Sequence, residues 1–481
     1  MTSRLSSGVN GLDVILKGGY LNNRTYLLKG GPGTGKTTLG LHFLEEGLNN
    51  NEKCLFINLV ESKKELLIDA KNFNFRIDEI EILDLTPGGE FLNKEQDYDV
   101  FKPSEVEQVP MIQEIRNKIK ETNPDRLVFD GLTNLYYLYE SKYKLRKNII
   151  SLIQYLSEFD ITSIFIAEDN SEFINILQFL TSGVINLKFD GYERKLNVIK
   201  FRGSDYLKDF HSMVIKGEGI NILPNLYYKK TTTKLKEGII SSGSKEIDAL
   251  LKGGLETNTN TVIIGPTGVG KTTLSISFLR NSVQNNNKGI IYLFEEAQKV
   301  LINRCKEIDM PIDKMVAENK LIIKNVNSLD TNPIEFSYMV REDVKKHNTD
   351  LVMLDSITGY YLSYVNDHYS KLDLIKHLQN LSNYLNNYGI TVLMTNEMAN
   401  ITGDFRSSEL GISYLADNII FLRYIEMNGQ LNKIIGVLKK RLSNFEKSLR
   451  EFEITSQGLQ VGKPLNNIKG ILTNNIEFID K

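Results

Sequence analysis

Two glycine-rich segments set 235 residues apart (271 − 36) constrain this chain more than any other feature. Gly30-Gly31-Pro32-Gly33-Thr34-Gly35-Lys36-Thr37 is answered by Gly265-Pro266-Thr267-Gly268-Val269-Gly270-Lys271-Thr272, and the same shift carries SSGVNGLD onto SSGSKEID and Gly18-Gly19 onto Gly253-Gly254. A chain that matches itself in one register is two fused copies of one domain. Within each copy, short apolar runs alternate with longer amphipathic stretches, the pattern of an α/β fold whose mostly parallel sheet is flanked by helices. The expected strands are Thr25 to Leu28, Cys54 to Leu59, Arg126 to Phe129 and Ser163 to Ala167. The second copy repeats them at Thr261 to Ile264, Gly289 to Phe294, Leu351 to Leu354 and Thr391 to Thr395. Lys195 to Phe201 and Lys433 to Leu438 read as an antiparallel hairpin added at the edge. Between the copies, Tyr227 to Glu237 loses apolar periodicity and becomes polar and basic, as a linker does. The expected domains are therefore 1–228 and 237–462, with a linker at 229–236 and a tail at 463–481. Leu85 to Pro110, rich in acids and carrying Pro87, Gly88 and Gly89, reads as a surface excursion.

Composition narrows the function classes. Lys plus Arg is 58 against 60 for Asp plus Glu, a net charge of −2, and no polybasic block offers the charge that grips a phosphate backbone. Nucleic acid is therefore an unsupported partner. No run of about eighteen apolar residues occurs and the opening MTSRLSSGVNGLDVILK has no apolar leader segment, so no membrane association and a cytoplasmic address are expected. Cys54 and Cys305 lie in apolar stretches and read as small buried hydrophobes. The five histidines show no metal-ligand spacing, and Lys142, Lys144, Arg146 and Lys147 read as a solvated helix face.

Both glycine-rich segments satisfy G-x-x-x-x-G-K-[ST] between a strand and a helix, the context in which that pattern binds a nucleoside triphosphate. Glycines permit a tight wrap whose backbone N–H groups, with the helix N-terminus, enclose phosphate oxygens. The expected ATP contacts are Gly31, Gly33, Thr34, Gly35, Lys36, Thr37 and Thr38 in the first copy. In the second they are Pro266, Thr267, Gly268, Val269, Gly270, Lys271, Thr272 and Thr273. Lys36 and Lys271 would reach the outer phosphates, and Thr37 and Thr272 would hold Mg²⁺ through their hydroxyls. A further magnesium support is expected from Asp130 and Asp355, each one step after a buried apolar run. Hydrolysis also needs a group that orients the attacking water. Glu295 and Glu296 stand at a strand tip in the second copy, but the first copy has Val60 and Glu61 there, so one acid is missing. The second copy is expected to turn over faster.

The tandem arrangement, the SSG opening, GGPGTGKTT, GPTGVGKTT, FEE and FRGS together resemble the KaiC family of double-domain RecA-like ATPases, over nearly the whole chain. That resemblance implies two RecA-like P-loop domains and ATP bound at protomer interfaces of a homohexameric ring. It also implies trans-acting basic fingers, which fall on Lys200 and Arg202 and on Lys439 and Arg441, although Leu442 stands where the family has glycine. Clock-type members phosphorylate an adjacent Ser and Thr in the second domain. Here the matching stretch keeps Ser413, has Tyr414 in place of the threonine, and leaves Ser408 as a nearby alternative acceptor.

The first reading is thus an ATP-hydrolysing regulatory protein in signalling or timing, with Ser autokinase activity in its second domain and protein partners that sense its state. Two alternatives stay open: a DNA-dependent ATPase of the recombination or helicase type, and a nucleotide-gated scaffold with little turnover.

Overall fold

The computed structural model describes residues 3–86, 108–138, 141–169, 171–189, 191, 193–225, 237–327, 331–365, 369–398, 414–427, 429–466, 468–469 and 477–478. Contacts divide the chain into Met1–Asn225 and Leu226–Lys481, and each unit is built on the same plan.

The first unit holds a sheet of nine strands: β1 (Thr25–Gly30), β2 (Cys54–Asn58), β3 (Glu81–Asp84), β4 (Arg126–Asp130), β5 (Thr162–Glu168), β6 (Gly183–Phe189), β7 (Arg194–Phe201), β8 (His211–Lys216) and β9 (Gly219–Leu223). Their order across the sheet is β9-β8-β7-β6-β1-β5-β4-β2-β3. The six strands from β6 through β1 to β3 in this order are parallel to one another, and β7, β8 and β9 add an antiparallel extension to β6. The second unit repeats the plan with β10 (Asn260–Gly265), β11 (Gly289–Leu293), β12 (Leu321–Asn325), β13 (Leu351–Asp355), β14 (Thr391–Glu397), β15 (Asn418–Met427), β16 (Gln430–Lys440), β17 (Arg450–Thr455) and β18 (Gly458–Pro464). Their order, β18-β17-β16-β15-β10-β14-β13-β11-β12, is the first one over again.

The central strands read as unbroken apolar runs because both faces are covered. In β4, Val128 joins Leu28, Phe56 and Ile166 on the face packed by Leu39, Phe43 and Leu44 of α1 (Lys36–Asn49). Leu127 and Phe129 point the other way and meet Leu27, Leu55, Leu145 and Leu152. In the second unit α2 (Lys271–Gln284) takes the place of α1.

Each expected strand exists, with bounds that differ by at most three residues, the largest shift being β16, which begins at Gln430 rather than Lys433. The strands β3, β6, β8, β9, β12, β15, β17 and β18 were not among those expected. The excursion expected over Leu85 to Pro110 lies mostly outside the described residues, and its end needs correcting, because a helix begins at Gln108 and holds Pro110 in its first turn, where a missing N–H costs nothing. The expected linker 229–236 also lies outside the described residues. At the C-terminus β18 continues past residue 462, since Pro464 still pairs with Arg450, and Ile468–Lys469 pairs with Glu477–Phe478.

Candidate functional site

Each glycine-rich segment forms the turn between a central strand and the helix that covers it. Gly35 and Gly270 occupy the residue before α1 and α2 with φ of 93° and 114°, a left-handed conformation that a side chain would strain. Neither helix start receives a side-chain cap, so the first-turn N–H groups remain available to an anion. The Lys36 ammonium donates to the Gly31 carbonyl at 2.7 Å and Lys271 to the Pro266 carbonyl at 2.8 Å. Burial lowers the pKa of both lysines. Asp130 and Glu168 oppose that shift in the first unit, and Glu397, Asp355 and Glu295 oppose it in the second.

The Thr37 hydroxyl donates to Asp130 at 2.6 Å, and Thr272 donates to Asp355 at 2.9 Å. In both units the expected magnesium residues therefore meet across the end of a parallel strand. A hydroxyl and a carboxylate, both hard oxygen donors beside a phosphate cradle, fit a Mg²⁺ ion held mainly by phosphates and water. Among the described residues no group of three or more His, Cys, Asp and Glu side chains could cage a metal. The two carboxylates differ in setting. Burial raises the Asp130 pKa, while the hydrogen bond from Thr37 and the charge of Lys36 oppose the rise. Asp355 receives a second hydroxyl, from Thr395.

The remaining expected acids separate the units. Glu295 is exposed and accepts from the Ser356 hydroxyl at 3.0 Å. Glu296 turns to Arg304, Oε2 to Nη2 at 3.0 Å, and burial raises its pKa against that pairing. In the first unit Val60 is exposed in the position of Glu295. Glu61, in the position of Glu296, has Asp69 where the second unit has Arg304. Burial raises the Glu61 pKa, and Asp69, Asp130 and Glu65 raise it further. Glu61 and Asp69 line a cleft of about 390 Å³ that also opens onto Gly33, Lys36 and Thr37.

The expected fingers sit elsewhere. Lys200 pairs with Val184, which lies beside Leu27, three residues before Gly30. Its ammonium donates to the Gln178 and Thr181 carbonyls, each at 2.6 Å, and Arg202 donates to the Phe179 carbonyl at 3.3 Å. In the second unit Lys439 donates to the Ala416 carbonyl at 2.6 Å and Arg441 pairs with Asp417 at 3.0 Å. Both basic pairs thus lie at the end of the sheet away from their own phosphate loop. Ser408 and Ser413 lie outside the described residues.

Several residues at the site escaped the sequence reading. Glu168 and Glu397 pair with Gly30 and Gly265, which brings a carboxylate to the mouth of each loop, and Thr267 donates to Glu397. The signal was present, since each acid directly follows a buried strand, the same rule that singled out Asp130. Arg194 donates to the Gly33 carbonyl at 3.1 Å, so it is the basic residue of that hairpin that does stand at its own loop. Arg304 and Ser356 carried no sequence signal, because their roles depend on which side chain faces them.

The family model "ATPase: KaiC" matches residues 5–227 and 240–466. The circadian clock protein KaiC3 of Synechocystis sp. is 27% identical over 487 aligned residues, covering 98% of this chain and 94% of that protein. The circadian clock oscillator protein KaiC of Parasynechococcus marenigrum is 24% identical, covering 98% and 92%. KaiC of Synechococcus elongatus is also 24% identical, covering 98% and 91%.

Proposed function

Given that the chain belongs to the KaiC family of ATPases, we propose that it is a regulatory ATPase of signalling or timing, a homohexameric ring in which each domain binds Mg²⁺-ATP. Its domains are 1–228 and 237–462, joined by the linker 229–236. The observation that carries the reading is the doubled constellation of an uncapped helix start, a loop lysine and a Thr–Asp pair, held in the same order on two sheets of the same topology. The timing role is supported by relatives whose names describe clock proteins.

Bound Mg²⁺ would be held by Thr37 with Asp130 and by Thr272 with Asp355, and would neutralise charge on the outer phosphates. The chain's own residues do the rest. Backbone N–H groups of 31–37 and 266–272 seat the phosphates, and the loop lysines leave their carbonyl partners for phosphate oxygen. In the second domain Glu295 and Glu296 orient the attacking water and accept its proton. In the first, Glu61 alone remains, so turnover there is slower. Lys200 with Arg202 and Lys439 with Arg441 act on a neighbouring subunit's nucleotide, which their position far from their own loop favours. Autokinase activity uses the same second site: the Ser413 or Ser408 hydroxyl attacks the γ-phosphorus, ADP leaves, and the proton passes to the glutamate pair. Val60 favours a second reading for the first domain alone, a nucleotide held for structure with little turnover.

Native mass spectrometry of the full chain with Mg²⁺-ATP tests this function. Hexamers carrying nucleotide, with mass added by phosphate in the second domain, are expected. A single, nucleotide-free chain at saturating ATP would remove the proposal.

A further inference from the structure

Glu295 sits in a socket that the first domain lacks. Ser356, only 7% exposed, follows the strand-end Asp355 and caps the helix Ile357–Tyr364 by accepting from the Gly359 N–H at 2.8 Å. An N–H can only donate, so that contact takes a lone pair of the hydroxyl. Its single proton is left for the Glu295 Oε1 at 3.0 Å. Gly359 supplies the space, because a Cβ there would stand 2.7 Å from Oε1 and 3.0 Å from Cγ of Glu295. Glu296 does not compete for this place, since Arg304 holds it at 3.0 Å.

The corresponding positions of the first domain, Val60 in the 235-residue register and Gly131 and Asn134 counted from Asp130 as Ser356 and Gly359 are from Asp355, have all changed together. Glu295 becomes Val60, Ser356 becomes Gly131 and Gly359 becomes Asn134. Asn134 fills the vacated space and donates to the Leu59 carbonyl at 2.5 Å. Gly131 has φ of 92°, and a Cβ on it would come within 2.8 Å of Val60 and 3.0 Å of Leu59. A serine therefore cannot be supplied there without strain, and a carboxylate at position 60 would lack the hydroxyl donor that Glu295 has.

We propose that Ser356 is a positioning residue for ATP turnover in the second domain. Its hydroxyl, with the space left by Gly359, fixes the Glu295 carboxylate toward the nucleotide, while Arg304 anchors Glu296 by a separate contact. The inference rests on the reading of Glu295 as the water-orienting acid.

The test is steady-state ATP turnover of the full chain in a Glu61→Gln background, so that the second site dominates. A hydrogen bond to a charged group is worth enough to orient it, so Ser356→Ala is expected to lower kcat by about tenfold or more, with KM for ATP within about twofold because nothing that seats the phosphates has changed. Ser356→Thr restores kcat by returning the hydroxyl. In a Glu295→Gln background Ser356→Ala has no further effect, which loss of a helix cap alone would not produce. Should Ser356→Ala fail to fold, Gly359→Ala decides, since its methyl group displaces Glu295 and leaves the cap intact. Unchanged kcat in Gly359→Ala, or in a folded Ser356→Ala while Glu295→Gln is inactive, overturns the inference and leaves the function standing. Full turnover in Glu295→Gln brings down the catalytic reading itself.

Discussion

Mixing two disabled chains should return a quarter of the second domain's activity if its basic pair serves only the neighbouring subunit. One chain carries Lys439→Ala with Arg441→Ala and keeps its phosphate loop; the other carries Lys271→Ala and keeps its basic pair. The geometry sets the expectation. Lys439 pairs with Ile419, which lies beside Val262, three residues short of Gly265. At about 3.3 Å per residue that is ~10 Å along the strand, with two strand spacings of about 4.8 Å added sideways. Lys439 and Arg441 are also turned to Ala416 and Asp417 at the far end. Neither can reach its own nucleotide. A trans-acting cation of this kind is worth roughly 10³-fold or more in rate, so each chain alone should be nearly silent at the second site. In a random equal mixture half the loops are intact and half of those face an intact neighbour, hence the quarter. The assay is phosphate release by the mixture after subunit exchange, with exchange followed by fluorescence transfer between labelled chains. Wild-type turnover from the basic-pair variant alone, or no recovery despite complete exchange, would refute the reasoning.

Other expectations concern the first domain's framework. His42 on α1 accepts from the Ile220 N–H at 2.8 Å and packs edge-on against Phe75, and burial pushes its pKa down to about 4 from 6.5, against the opposing charge of Glu45. The folded form therefore stays neutral where the unfolded chain takes a proton, so its contribution is full above about pH 6.5 and is lost as pH falls toward 4. After discounting for partial exposure this amounts to about 2 kcal/mol. Urea unfolding at pH 5 and 7.5 should show somewhat over half of that, about 1 kcal/mol, and His42→Gln should flatten it. Arg126, 1% exposed, pairs with Glu52 and donates to the Ser6 and Phe43 carbonyls at 2.8 and 2.9 Å. Arg126→Met should cost the first domain about 3–5 kcal/mol, because it leaves those acceptors and the carboxylate without their partner; a loss under about 1 kcal/mol in thermal or urea unfolding would contradict this.

The repeat, the parallel core and both phosphate loops were legible in the sequence because each depends on local pattern: β-branched runs buried on two faces, and glycines where the backbone must turn left-handed. Glu81–Asp84 escaped because a four-residue edge strand with polar ends carries no clear period, and Gly183–Phe189 because Asn186 and Lys188 interrupt its apolar run. At the site, Thr37 with Asp130 and Thr272 with Asp355 could be paired in advance, since loop and strand end are fixed by the fold. The partners of the glutamates could not. Arg304 stands eight residues after Glu296 and Ser356 sixty-one after Glu295, and only the packing of a helix against a strand tip brings them together. The contrast between Arg304 and Asp69 is visible in the aligned repeat, yet it acquires meaning only once each is seen beside its glutamate, where Arg304 favours the charged form and Asp69 opposes it.

Two working nucleotide sites per chain underlie the proposed ATPase, and equilibrium binding of a labelled, slowly hydrolysed ATP analogue with Mg²⁺ measures that number. The prediction is two nucleotides per wild-type chain and one in either Lys36→Ala or Lys271→Ala at a concentration that saturates the wild type. A single nucleotide per wild-type chain, or two retained in both lysine variants, would contradict it.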